Sequence, residues 1–150
     1  MITRFLLVSM LRFTIISGCQ EKPFVVIIKS NNCTNDSWKK TTISSIFGQK
    51  YKNVRAIYLY SEEATRNLVE KFIRENHLQN RITLIHDASL EVALADCKEH
   101  ESILIRDEDD WLPNEDYLTE LNTQALDMNA SAVIACENPA DLASLTVRKV

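Results

Sequence analysis

The residues best suited to chemistry are four consecutive carboxylates, Asp107-Glu108-Asp109-Asp110, set in the run Arg106-Asp107-Glu108-Asp109-Asp110-Trp111-Leu112-Pro113. Adjacent carboxylates repel one another, and within the run Arg106 is the one cation that offsets them. They follow an apolar segment, Ser102–Ile105, and precede one of helical periodicity, so they belong at the carboxyl end of a strand. Ligands of open α/β sheets bind in that crevice. Hard oxygen donors there suit Mg2+ or Mn2+, which take one or two protein carboxylates and complete their shell with substrate phosphates. The same run also reads as a solvated acidic turn whose charges favour the start of the next helix. A calcium loop of the EF-hand type does not fit, because its sharp-turn glycine and closing glutamate are missing.

The elements that must position these groups are short apolar runs alternating with helical patterns. Strands are expected at Pro23–Ile28, Val54–Tyr60, Ile82–Ile85, Ser102–Ile105 and Ala132–Ala135. A helix through Trp38, Thr42, Ile43, Ile46 and Phe47 should end at Gly48, placed as a C′ glycine. A second should start at a Ser61 cap, with Glu62 and Glu63 in its first turn and an apolar stripe of Leu68, Val69, Phe72 and Ile73. Leu90–Cys97 reads as a short helix, and Pro113 suits the first turn of one reaching about Leu126. Strands alternating with helices predict one α/β domain with a mostly parallel sheet covered on both faces.

Composition narrows the function classes. The 150 residues contain two glycines, Gly18 and Gly48, so neither multi-glycine phosphate loop can be built. A net charge of −4 gives no footprint for nucleic acid. The four cysteines form no CxxC pair; Cys33, Cys97 and Cys136 read as buried thiols. Residues 1–19 combine Arg4, an apolar run broken by Arg12, and Ile16-Ser17-Gly18-Cys19, which resembles a bacterial lipobox. That segment is expected to be a lipoprotein-type signal, giving membrane association through a lipidated Cys19. The other readings are an upstream start that is not the true one, or a first strand such as Phe13–Ser17. The apolar run is too short to span a bilayer.

Taken together, three segments resemble family-2 glycosyltransferases of the GT-A fold. Lys22-Pro23-Phe24-Val25-Val26-Ile27-Ile28-Lys29-Ser30-Asn31-Asn32 resembles their opening strand and turn. Ile43-Ser44-Ser45-Ile46-Phe47-Gly48-Gln49-Lys50-Tyr51-Lys52-Asn53 is similar to the helix end that follows. Asp107-Glu108-Asp109-Asp110-Trp111-Leu112 is similar to their D-x-D-D-W-L metal motif. The resemblance implies a Rossmann-like GT-A domain over residues 22–150, mostly parallel, with its acceptor half short or missing. It further implies metal-dependent transfer of a sugar from a nucleotide-sugar donor to an acceptor hydroxyl, with inversion. Asp107 would lie near the donor ribose, Asp107 and Asp109 would hold Mn2+ or Mg2+, and Asp110 would assist them. Ser30 and Asn32 would contact the nucleoside. Trp111 is read as a packing anchor rather than a sugar platform, His86 as a strand terminus rather than a catalyst, and His77 and His100 as surface residues.

The chain departs from that pattern at the turn after the second strand. There Tyr60-Ser61-Glu62-Glu63 replaces the family's nucleobase-holding Asp-Asp, and His86-Asp87-Ala88-Ser89-Leu90 replaces a glycine-rich stretch. No catalytic base is assigned, since nothing in the sequence places the carboxylates Glu137 and Asp141 within reach of an acceptor hydroxyl. The alternative function is a catalytically inactive, envelope-anchored binding or interaction module on the same fold. Location follows the signal: cell envelope if it is used, cytoplasm otherwise.

Overall fold

The computed structural model describes residues 5–8, 22–87, 89–128 and 132–136. The segment Ile16–Cys19 that resembles a lipobox, the alternative strand Phe13–Ser17, and Glu137 and Asp141 lie outside the described residues.

The elements run β1 (Phe5–Val8), β2 (Phe24–Lys29), α1 (Asp36–Phe47), β3 (Val54–Tyr60), α2 (Glu63–Glu75), β4 (Ile82–His86), α3 (Leu90–Ala95), β5 (Ser102–Asp107), α4 (Tyr117–Met128) and β6 (Ala132–Cys136). Four parallel strands, in the order β5-β2-β3-β4, form the centre, and β6 and then β1 continue the sheet beyond β5. Phe5–Val8, inside the segment read as a signal, pairs in parallel with Ala132–Ala135. Among the described residues no helix is long and apolar enough to cross a membrane.

Strand alternation divides the core in two. Phe24, Val26 and Ile28 of β2 pack on one side with Ile43 and Ile46 of α1, Val69 and Ile73 of α2, and Leu118 and Leu121 of α4. Val25 and Ile27 pack on the other with Ala93 and Leu94 of α3 and with Cys97. A sheet covered on both faces explains why β2 is apolar at nearly every position rather than alternating.

Several local expectations are corrected. Ser61 does not cap α2; its hydroxyl lies 3.3 Å from that of Ser30, and Glu62 takes the N-cap place without a side-chain bond. Asn35 caps α1 instead, accepting from the Trp38 amide at 3.2 Å. Gly48 is the C-cap at φ −85°, so left-handed freedom is not what the position needs. A Cβ there would meet the Ser44 carbonyl oxygen at 2.9 Å, so the requirement is close approach. Pro113 does not open α4; three residues, Asn114 to Asp116, separate it from the first helical residue, Tyr117. Cys97 is buried as expected, but Cys33 is only partly covered.

Candidate functional site

After β2 the chain lays β3 and β4 on one side, then crosses to lay β5 on the other. The carboxyl ends of β2 and β5 therefore form the switch point of the sheet, with Lys29 in register with Asp107. Strand β5 runs two residues further than its apolar pattern, so Arg106 and Asp107 are strand residues and the acidic turn begins at Glu108.

The four carboxylates do not share one environment, and Arg106 is not their sole counter-charge. Asp107 lies 3.5 Å from Lys29 Nζ. Asp109 Oδ1 accepts a hydrogen bond from Asn31 Nδ2 at 2.6 Å. Asp110 Oδ2 accepts one from Arg106 Nη1 at 3.0 Å, and that buried guanidinium also lies 5.1 Å from the Tyr117 ring centroid. Glu108 points inward and is 1% exposed. Its carboxylate accepts from the Tyr58 hydroxyl at 2.8 Å and from the amides of Cys33 at 3.1 Å and Asn31 at 3.3 Å. Its own amide donates to the Lys29 carbonyl at 2.9 Å, and its carbonyl accepts from Thr42 Oγ1 at 2.9 Å. Burial, reinforced by the bond to Glu108, pushes the Tyr58 phenol far above its ordinary pKa.

Glu108 thus ties the acidic turn to the β2–α1 turn, which carries Asn32 at φ 65°. Asparagine tolerates that left-handed backbone better than most residues. Ser30 and Asn32 line one cavity of about 340 Å³ with Lys29, Leu59, Tyr60, Ser61, Asp87 and Leu90. Asp107 does not line this cavity but is paired with Lys29, which does, and Asp109 is joined to the β2–α1 turn through Asn31. So Ser30, Asn32, Asp107 and Asp109 do converge on one end of the sheet. Among the described residues no three of the His, Cys, Asp and Glu side chains are grouped to hold a metal ion.

Trp111 is 42% exposed and meets the exposed Trp38 edge-on at 6.4 Å; Leu112, at 3% exposure, is the residue that anchors this turn in the core. His86 ends β4 and stacks on Tyr60, with centroids 5.0 Å apart. His77 and His100 are exposed. Sequence reasoning missed Asp87 and Tyr58 as parts of the site. The signal for Asp87 was a polar pair directly after an apolar strand; for Tyr58, one of two tyrosines in a buried strand, there was none.

A parallel sheet, helices on both faces and a crevice at the switch point define the class: a Rossmann-like α/β fold. No family model matches this chain, and no curated protein matches it at a significant level. Among solved structures it is similar to a mannosyltransferase, PcManGT from Pyrobaculum calidifontis, solved in complex with GDP-Man and Mn2+. The TM-score is 0.51 at 21% identity, over 65% of this chain and 30% of that one. The fold is therefore glycosyltransferase-like, and this chain spans less than a third of the length of that neighbour.

Proposed function

We propose that this chain is the donor-binding part of a metal-dependent, inverting glycosyltransferase of the family-2 type. The observation that carries the reading is the convergence, at one switch point, of Asp107 and Asp109 with the cavity lined by Ser30 and Asn32. The fold neighbour is a mannosyltransferase solved with a nucleotide sugar and Mn2+, which supports a nucleotide-sugar donor and a divalent ion here.

The donor set fits such an ion. Mg2+ and Mn2+ need one or two carboxylates when a diphosphate supplies further oxygens, so the absence of a three-residue cluster among the described residues is no obstacle. Asp109 and Asp107 would hold the ion, which when bound neutralises charge developing on the nucleoside-diphosphate leaving group. To hold it, Asp109 would give up the hydrogen bond it accepts from Asn31. Lys29, which lies against Asp107 and lines the cavity, brings a cation to the diphosphate. Ser30 and Asn32 position the nucleoside.

A second reading, a binding module without transferase activity, is favoured by the internal partners that Lys29 and Asn31 already give Asp107 and Asp109. In either case a lipidated Cys19 would place the domain at the cell envelope, and an unmodified N-terminus in mass spectrometry would refute that anchor. Calorimetry of the full chain with Mn2+ and nucleoside diphosphates tests the donor reading. Metal-dependent binding abolished by Asp109→Ala is expected. A folded protein that binds no nucleotide at millimolar concentration would overturn it.

A further inference from the structure

We infer that Trp38 and Trp111 form an aromatic platform beside the acidic turn, and that it takes an uncharged sugar ring of the acceptor. This rests on the donor reading above and adds the chemical class of the second substrate. Leu112, at 3% exposure, anchors the turn in the core, so packing does not account for Trp111, which is 42% exposed beside a 47% exposed Trp38. The ring centroids lie 6.4 Å apart with planes inclined at 63°, so the indoles open as a wedge instead of covering each other. Adjoining exposed aromatics of this kind mark a binding surface.

Both rings are held by α1. Trp38 stands in its first turn, with its amide bonded to the Asn35 cap at 3.2 Å. Trp111 is followed by Leu112, whose amide donates to Ser45 Oγ of α1 at 2.9 Å. Thr42 Oγ1 lies 3.0 Å from the Trp38 carbonyl and 2.9 Å from the Glu108 carbonyl, so one hydroxyl ties Trp38 to the acidic turn. A surface organised in advance loses little freedom on binding. Asp109 precedes Trp111 by two residues, which keeps their Cα atoms within about 8 Å. The platform therefore adjoins the carboxylate proposed to hold the ion, where an acceptor hydroxyl must approach the donor.

The chemistry of the surround selects the occupant. One face of a pyranose presents C–H groups that pack on an indole, while its hydroxyls remain free for water or for the indole N–H. Nothing cationic beside the rings would hold an anion. Lys39, next to Trp38, is buried and donates to Thr65 Oγ1 at 2.9 Å, and Lys40 falls on a different side of the helix. The neighbouring carboxylates repel a phosphate, a uronic acid or an anionic membrane surface. Each of them also has an internal partner: Asp110 has Arg106 at 3.0 Å, Asp109 has Asn31 at 2.6 Å, and Asp36 has Lys39 at 4.0 Å. A cationic ligand would have to compete with those partners. An uncharged ring competes with none.

The chain has two tryptophans and both belong to this pair, so intrinsic tryptophan emission reads the platform directly. The full chain is titrated with cellotetraose, mannotetraose, anionic tetragalacturonate, amine-bearing tetraglucosamine and phosphatidylglycerol-containing vesicles. Each titration is run with Mg2+ and GDP and again without them, Mg2+ replacing Mn2+ because a paramagnetic ion quenches indole emission. A saturable emission change with a neutral tetrasaccharide is expected, at least about tenfold tighter than with either charged one. Trp38→Ala and Trp111→Ala each leave one indole as reporter, and each should weaken that binding by about tenfold, with Trp111→Phe restoring part of it. Circular dichroism checks that each variant is folded.

No response to either neutral sugar, tighter binding of a charged sugar or of vesicles, or undiminished binding in both alanine variants would overturn the inference. Nucleotide binding retained in any of those cases leaves the donor reading standing. Sugar binding in a folded chain that binds no nucleotide would overturn the donor reading and the acceptor role with it.

Discussion

The Tyr58 hydroxyl donates to Glu108 Oε2 at 2.8 Å inside the core, joining β3 to the second of the four carboxylates, 50 positions later. The other Glu108 oxygen accepts the amides of Asn31 and Cys33, so this one carboxylate fixes the turn that carries Ser30 and Asn32. Tyr58→Phe removes a donor and leaves a buried carboxylate oxygen short of a partner, at a cost of about 1–3 kcal/mol. For a chain of this size that lowers the melting temperature by about 2–4 °C per kcal/mol, measurable by calorimetric scanning. The pair Tyr58→Phe and Glu108→Gln should be non-additive, because they share one bond.

The raised phenol pKa also fixes an alkaline signature. The folded state holds the Tyr58 proton more tightly than the unfolded state, so its contribution is complete below the ordinary phenol value near 10. It is lost as pH rises above that value toward the raised folded one. Denaturant midpoints measured from pH 8 to 11 should fall at the alkaline end, and less steeply in Tyr58→Phe.

The opposite sign applies at Glu101. Burial opposes its ionisation, but hydrogen bonds from Arg55 at 2.8 and 2.9 Å and from the Lys98 amide outweigh burial and hold the carboxyl below its usual range. Its stabilisation is present above the unfolded value near 4.3 and is lost as pH falls through the lower folded value. Glu101→Gln should cost about 1–3 kcal/mol at neutral pH and flatten that part of the acid unfolding curve.

Gly48→Ala tests close approach without left-handed strain. The added Cβ would sit 2.9 Å from a backbone oxygen that cannot swing aside, and a loss of about 1–3 kcal/mol is expected in urea unfolding.

The metal reading makes two substitutions act in opposite directions. Asp109→Ala should abolish Mn2+-dependent nucleotide binding. Asn31→Ala should tighten it by about threefold to tenfold, since the Asn31 amide competes for Asp109 Oδ1. Mn2+ titration followed by electron paramagnetic resonance reads both.

The parallel α/β class was legible because β2, β3 and β5 are near-continuous apolar runs separated by helical patterns, which a sheet buried on both faces requires. The placement of the acidic turn at the carboxyl end of a strand was legible because four carboxylates follow an apolar run. Their separate fates were not, because Lys29, Asn31 and Tyr58 reach them from strands and turns distant in sequence. Strand ends were misplaced for a related reason: Arg106 and Asp107 carry polar side chains, yet their backbone completes the ladder with Ile28 and Lys29. The Ser61 hydroxyl could serve locally as a helix cap, but Ser30, 31 residues away in sequence, lies within 3.3 Å of it instead.

The most direct test is diffraction from crystals of the full chain soaked with Mn2+ and GDP, with the ion located by its anomalous signal. The account predicts one ion within about 2–2.5 Å of an Asp109 oxygen, bridging to the diphosphate, with the Asn31 bond broken. A diphosphate bound elsewhere, or an ion away from Asp109 with the Asn31–Asp109 bond intact, would contradict it.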